Sequence, residues 1–280
     1  MDGGGAYCFD FAYVPNPLVV PVMRSYWGII LCALTTVADA FTPPRRSRTA
    51  SVGQIFGAPI MHVLSLREKL GDEIRLILAS QSPRRWEILD MMGLKDRYSV
   101  QPSPLDESAQ QTKLRAEKTH PTDYTRILAE EKAKAVAMAL GATEVPTLVL
   151  GSDTIVDQDD CILEKPKDAD DASRMLNQLS GRQHYVHTGV ALYLVKGDSV
   201  KLCCSWTEAA VVQFAPLTSD DIEAYIATGE PMDKAGSYGI QGIGGQFVQN
   251  IEGDFFTVMG LPMHRTSEQL GAAITDALKA

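Results

Sequence analysis

From residue 71 onward the apolar positions fall into two kinds of run that alternate along the chain. Short, nearly continuous apolar stretches read as buried strands: "RLILAS" at 75–80 and "TLVLGSDTIVD" at 147–157. Between and after them, apolar residues recur at helical spacing. "SPRRWEILDMMG" predicts a helix that Ser82 caps, Pro83 begins and Gly93 ends. "TDYTRILAEEKAKAVAMALG" predicts one over 122–141, with Thr122 as cap. "DADDASRMLNQLSG" at 168–181 has acids in its first turn and a glycine at its end, and "TSDDIEAYIATG" at 218–229 is another capped helix. "RYSVQPS" is a short strand running into a proline-rich loop, and "CILE" follows a turn at "QDD". "QHYVHTGVALYLV" and "KLCCSWTEAAVVQF", joined by "KGDS", form a long hairpin. A glycine-rich stretch and a helix from about Pro262 finish the chain. Strands that alternate with helices predict one α/β domain with a mixed sheet over 71–280.

The first seventy residues follow no such pattern and are set apart as an N-terminal extension. From Met23 the order is one arginine, an apolar run over 26–34 and small residues ending "ADA", the layout of a secretory signal. The run is too short to span a membrane as a helix. Phe41 follows, then an Arg/Ser/Thr-rich stretch without acids to Gly53, which resembles the bipartite plastid-type presequence of algae with complex plastids. Met1 lies 22 residues upstream, so either Met23 is the start or the match is accidental; an extension that carries no address is the alternative.

Charge narrows the function classes. The 280 residues carry a net −9; six basic and four acidic residues lie in the first seventy, leaving twenty basic and thirty-one acidic in the rest. An acidic body argues against sequence-independent binding to nucleic acid. Any phosphate ligand must then meet locally concentrated cations. The five cysteines form no CxxC, and read as free thiols of a reducing compartment. His184 and His187 are three apart in a strand, so they face opposite ways and share no metal.

Three polar sets interrupt the apolar pattern without structural need. Arg84 and Arg85 stand in the first turn of a helix, where the dipole is already positive and each charge costs roughly 0.3–1 kcal/mol. They add forked donors to free N–H groups that suit an anion; pairing with Glu87 and Asp90 is the bland alternative. Asp153 follows "TLVLGS" at a strand end, where open α/β sheets place working residues, so it suits a divalent cation or a water proton; a turn-capping aspartate is the alternative. Asp106 and Glu107, read as loop acids, offer a second carboxylate. Pro166 holds Lys165 extended. Lys132, in "EEKAK", looks like part of an ordinary solvated helix face. The glycines of 236–245 match neither G-x-G-x-x-G nor a P-loop, but Gln241 among them has an amide able to read a base edge. Cations for phosphate, carboxylates for a metal and an amide for a base suggest a nucleotide phosphohydrolase.

Taken in order, "SQSPRRWEIL", "GSDTIV", "LEKP", "DASRMLNQLSGRQHYVHTGVAL" and "YIATGEPMDKAGSYGIQGIGGQFVQNIEGDFFTVMGLPM" resemble the Maf family of nucleoside triphosphate pyrophosphatases over roughly 74–275. The resemblance implies a Maf/inosine-triphosphatase-like α/β fold, with a mixed twisted sheet flanked by helices and two lobes around a cleft. It implies cleavage of the α–β phosphoanhydride with Mg²⁺ or Mn²⁺, most simply of dTTP and UTP. It gives Asp153 the role of proton acceptor and, with Glu107, of metal ligand. Ser82, Arg85, Lys132 and Lys165 fall on phosphate-contacting positions, and Arg84, Thr154 and Gln241 on specificity positions. The sister subfamily prefers 7-methyl-GTP, and an older idea makes such proteins non-catalytic regulators of cell division. A homodimer and a cytoplasmic address are family-level expectations; no nucleic acid or membrane partner is expected. Two departures stand out: Glu164 replaces a glycine common before "KP", and the segment after Glu107 is longer than usual.

Overall fold

The computed structural model describes residues 62–159 and 161–279; the presequence expected at 23–53 lies outside them. The packed body reaches back past residue 71. A 3-10 turn at Val63–Lys69 precedes the first strand, and Val63 and Leu70 are buried in the core.

The central sheet has seven strands: β1 (Arg75–Leu78), β2 (Ser99–Val100), β3 (Thr143–Gln158), β4 (Cys161–Leu163), β5 (Gln183–Gly197), β6 (Ser199–Phe214) and β7 (Val248–Glu252). Their order is β2-β1-β3-β5-β6-β7, with β4 paired to the far end of β3. β1 runs parallel to β2 and β3, whereas β3, β5, β6 and β7 are antiparallel. The mixed sheet follows from the connections: a helix crosses between β1 and β3, while the "KGDS" hairpin turns β5 directly into β6. The long hairpin, both capped helices and the glycine helix ends at Gly93, Gly141 and Gly181, all with positive φ, agree with the sequence reading.

The helices are α1 (Pro83–Leu89), α2 (Glu107–Ala116), α3 (Pro121–Ala139), α4 (Ala169–Leu179), α5 (Ser219–Ala227), α6 (Phe255–Met259) and α7 (Met263–Lys279). Three details depart from expectation. Asp106 and Glu107 are not in a loop: Asp106 caps α2, its Oδ1 accepting from the Ala109 N–H at 3.2 Å, and Glu107 is the first helical residue. With only Leu114 buried, α2 has no apolar stripe to announce it. His120, not Thr122, caps α3, through Nδ1. Ser82 precedes α1, but its hydroxyl makes no cap bond.

Alternate residues of each strand feed opposite cores. Leu76, Leu78, Leu148, Leu150 and Leu192 pack under α1 and α7, with Leu270 and Ile274. Ile77, Val149, Ala191 and Tyr193 face α3, which answers with Ala129, Ala133 and Val136. A third core, around Phe214, Leu176, Val212 and Tyr225, lies toward α4 and α5. At roughly 1.5–3 kcal/mol per fully buried large aliphatic, these clusters fix the sheet register. α3 lies unusually close to the sheet. A Cβ on Gly151 would come within 2.4 Å of the Ala129 carbonyl oxygen, and one on Gly189 within 2.3 Å of the Thr125 backbone. Among the described residues, no helix is long and apolar enough to cross a membrane.

Candidate active site

The cleft begins with an interruption in strand pairing. β1 ends at Leu78 opposite Leu150, and β4 takes up pairing only at Val156. Between them, residues 151–155 of β3 have a strand neighbour only on the β5 side among the described residues. Asp153 is therefore mid-strand rather than at a strand end, yet it stands just beyond the carboxyl end of β1, where a parallel sheet opens a crevice.

Two contiguous cavities, of about 320 and 490 Å³, fill this opening. Ser82, Arg84, Arg85, Glu107, Lys132, Lys165 and Asp233 line both. Thr154, Asp153, Tyr238 and Gln241 line the first, while Ser80, Gln81 and Ser103 line the second. All nine site residues expected from the sequence thus border one opening.

Lys132 is not on a solvated helix face. The close approach of α3 at Gly151 and Gly189 brings its buried ammonium between two carboxylates, 2.7 Å from Asp153 Oδ1 and 2.8 Å from Glu107 Oε2. Asp153 Oδ2 is buried with no hydrogen-bond partner. Burial alone would raise the Glu107 carboxyl; the Lys132 ammonium, with Lys165 and Arg85 behind it, brings it below the usual range.

The two arginines are held differently. Arg85 is buried, and donates from Nε to the Gly260 carbonyl (2.9 Å), from Nη1 to Ser80 Oγ (2.8 Å) and from Nη2 to Thr154 Oγ1 (3.1 Å). None of these partners is ionised. Burial draws the guanidinium down to about 10, with the Asp153 charge opposing that fall. Arg84 instead reaches the 3-10 turn Glu230–Asp233, donating to Asp233 Oδ2 at 3.0 Å and to the Asp233 carbonyl at 3.2 Å. Neither arginine pairs with Glu87 or Asp90. α1 spans only two turns and its first-turn N–H groups get no cap from Ser82, so guanidinium charge, not the helix dipole, dominates this wall.

Glu164 does not neutralise Lys165. Its carboxylate is engaged by Arg115 on α2 and by the Tyr124 hydroxyl on α3. Arg115, in the segment after Glu107, thus supplies the cation that balances Glu164, and leaves exposed Lys165 to the cleft.

The glycine-rich segment is built around one carboxylate. Glu230 accepts from the Tyr225 hydroxyl (2.9 Å) and from the backbone N–H groups of Ile243 (2.9 Å) and Gly244 (3.2 Å). A Cβ at Gly242 would meet that carboxylate at 2.5 Å. This folds residues 239–245 into the loop that carries exposed Gln241 at the cleft. His184 anchors the same segment from β5: its Nε2 lies 2.8 Å from the Tyr238 hydroxyl, and burial lowers it to about 4, so the imidazole is neutral. His187 faces the other way, 3.7 Å from Asp157, as strand alternation requires.

Residues 75–273 match the family described as Maf-like protein. The chain belongs to that family. Its curated relatives include a dTTP/UTP pyrophosphatase of Geobacillus sp. (strain WCH70), 45% identical over 197 residues, covering 70% of this chain and 96% of that one. One of Shewanella sp. (strain MR-7) is 45% identical over 203 residues, covering 71% and 98%. A third, of Bacillus cytotoxicus, is 44% identical over 196 residues, covering 70% and 94%.

In this Maf-like protein several cleft residues lie outside the polar sets that the sequence pattern marks. Asp233 and Lys234 sit together, Lys234 Nζ on Asp233 Oδ1 at 2.6 Å, in the quoted "PMDKAGSYGIQG" stretch. Glu230 and Tyr238 lie in or beside it. An acid–base pair preceding a glycine run was the available signal. Thr188, whose hydroxyl lies 3.0 Å from that of Thr154, and the Gly260 carbonyl left no signal, because their roles depend on tertiary approach alone.

Proposed function

We propose that this Maf-like protein hydrolyses the α–β phosphoanhydride of nucleoside triphosphates, dTTP and UTP foremost, to a monophosphate and pyrophosphate. The observation that carries this reading is Asp153. One carboxylate oxygen is fixed by Lys132, and the other is buried and unpartnered in the wall of a cleft that Arg84, Arg85, Lys165 and Lys234 also line. An acceptor desolvated in this way is suited to orient a water and take its proton. Lys132 positions Asp153 instead of serving chiefly as a phosphate contact.

Phosphoryl chemistry relies on positioning and charge stabilisation more than on covalent help. Arg85 is aimed by three neutral oxygens, so its charge remains uncompensated for phosphate. Arg84, beside it on α1, and Lys165, from the segment after β4, add cations, and the Ser82 hydroxyl, free of capping, supplies a donor. Gln241 pairs its amide with the N3–H and O4 edge of a uracil or thymine ring. Thr154, tied to Arg85 and Thr188, fixes the floor beneath the substrate.

The donor set also fits a divalent cation. Asp153 has a bare buried oxygen and Glu107 is the second carboxylate; among the described residues no third acid, histidine or cysteine joins them. Two carboxylates plus substrate phosphates suit Mg²⁺ or Mn²⁺, which neutralises phosphate charge when bound. The residues that would hold it are Asp153 and Glu107.

The test is a panel of triphosphates with pyrophosphate detection and divalent cation present. Turnover of dTTP and UTP that falls about 10³-fold or more in Asp153→Asn supports the assignment. Turnover of 7-methyl-GTP alone would transfer the chain to the other specificity. Unchanged pyrophosphate release in Asp153→Asn would remove Asp153 from its role.

A further inference from the structure

Cys203 and Cys204 lie on β6, outside the cleft, and the hydrolytic reading uses neither. Both are free thiols, Cys203 exposed and Cys204 half-buried. In a regular strand, adjacent side chains point to opposite faces, and two consecutive cysteines could not act together. Here the strand is not regular. Leu192 of β5 pairs with Cys204, but Tyr193 pairs with Leu202, so Cys203 is the extra residue of a β-bulge.

The register shows which way each side chain points, because directly opposed residues share a face. Val195 and Tyr193 face α3, which assigns Val200 and Leu202 to that side. Leu194 and Leu192 face α7, which assigns Lys201 and Cys204 to the other. Beyond the bulge, Ser205 is back on the α3 side, its hydroxyl 2.6 Å from Glu130, and Trp206 is on the α7 side, under the Arg265 guanidinium. Leu202 and Cys204 thus face opposite ways across the bulge, and the extra residue Cys203 shares the face of one of them; the charges beside it place it with Cys204 on the α7 side. The charges that act on them agree: Lys201 and Asp276 on Cys203, Arg265 on Cys204, with each of the acid and the arginine on α7.

We propose that Cys203 and Cys204 form a vicinal dithiol site for a trivalent arsenic compound. A backbone bulge has turned an exposed thiol and its half-buried neighbour to one face, at the edge of the core under α7, and such a pair can close a ring on a single thiophilic atom. With an organoarsenic oxide, R–As=O, two As–S bonds form, two S–H bonds and the As=O bond break, and one water leaves with both protons and the oxygen. Arsenic stays trivalent, so no oxidant or reductant is needed. Burial raises both thiols, Cys204 to about 11, which lowers the thiolate fraction and slows the reaction of either thiol, while the retained product depends on both As–S bonds. The second thiol reacts intramolecularly, which strengthens retention about 10²–10⁴-fold over a single thiol.

The full chain is treated with one equivalent of phenylarsine oxide, and the intact mass is followed during competition with excess monothiol and then with a dithiol such as 2,3-dimercaptopropanol. The expected result is one arsenical per chain that survives the monothiol and leaves with the dithiol. Cys203→Ser and Cys204→Ser should each lose that retention about a hundredfold or more, whereas Cys161→Ser should keep it. Triphosphate turnover, for which neither cysteine is needed, verifies that each variant is folded. An adduct that persists in both single variants, or no retained adduct on the wild-type chain, overturns the proposal, and neither outcome bears on the pyrophosphatase reading.

Discussion

Replacing Lys132 with methionine tests the centre of the site most directly, because it removes one charge and keeps the length of the side chain. Lys132 and Asp153 are 7% and 9% exposed, so water does little to screen their attraction; Glu107 is 45% exposed and its share must be discounted. The two carboxylate oxygens bond one nitrogen, at 2.7 and 2.8 Å, so they lie within about 5.5 Å of each other. Without the ammonium, charges that close repel by ~3 kcal/mol at an effective dielectric of 20. Breaking a buried pair from one side costs about 3–5 kcal/mol, and the half-exposed Glu107 argues for the lower end. A loss of about 3 kcal/mol in a body of this size lowers the melting temperature by roughly 6–12 °C.

Acidity gives the same experiment a sign. In the wild type Glu107 is held below the usual carboxylate range. Its contribution to stability is therefore complete above the unfolded value of about 4.3 and is lost only as pH falls through the folded one. Between pH 8 and 5 this group leaves the wild type flat. In Lys132→Met a proton taken up by the facing carboxylates relieves their repulsion, so the gap between the two proteins should narrow toward pH 5. The assay is thermal unfolding of both from pH 8 to 5 in chelator, repeated with Mg²⁺, which should raise the variant more than the wild type. A gap below about 1 kcal/mol, or one that does not change with pH, would refute the buried three-charge arrangement.

Other residues give narrower tests. Gly189→Ala drives a methyl into the Thr125 backbone and should displace α3, with a loss of about 3 kcal/mol or more in denaturant titration and a parallel fall in kcat as Lys132 moves. Arg84→Ala removes an ion pair whose partner Asp233 is 58% exposed, so stability should change by under about 1 kcal/mol while KM for triphosphates rises tenfold or more, read from initial rates. Gln241→Met should leave folding intact and cut kcat/KM for UTP about 10–100-fold, narrowing its advantage over purine triphosphates in a competition assay. Glu230→Ala leaves the Ile243 and Gly244 N–H groups without their acceptor and should speed amide exchange there, at a cost of about 1–3 kcal/mol.

What the sequence disclosed and what it withheld divide along a physical line. Strands buried on both faces, such as "TLVLGSDTIVD", and helices with strong caps, such as 168–181, announce themselves because burial and capping are local constraints. α2 carries one buried leucine, so its pattern does not mark a helix and the acids at its start, Asp106 and Glu107, look like loop residues. The cap at His120 depends on an imidazole nitrogen meeting a backbone N–H, for which no composition rule exists. In the site, Arg84 and Arg85 were visible because they break a rule of helix electrostatics. The pattern around Lys132 does not single it out, since "EEKAK" is what a solvated face looks like; only the glycines at 151 and 189, on the neighbouring strands β3 and β5, reveal how near that face lies to Asp153.

The two arginines show why a site can be legible while its internal division is not. Side by side in sequence, both read as donors at a helix start. In the fold, Arg85 turns inward to three uncharged oxygens and keeps its full charge for the cleft, whereas Arg84 spans the opening to a carboxylate. A phosphate arriving at Arg85 displaces nothing ionised. One arriving at Arg84 competes with Asp233, whose other oxygen is already held by Lys234 at 2.6 Å. Arg85 is therefore the better anchor for charge common to every triphosphate. Arg84, whose availability depends on how the 230–234 turn sits, is coupled through that turn to the loop Glu230 builds around Gln241. Contact with the phosphates and contact with the base are thereby linked through one short segment, which is where a change of substrate preference should first be felt.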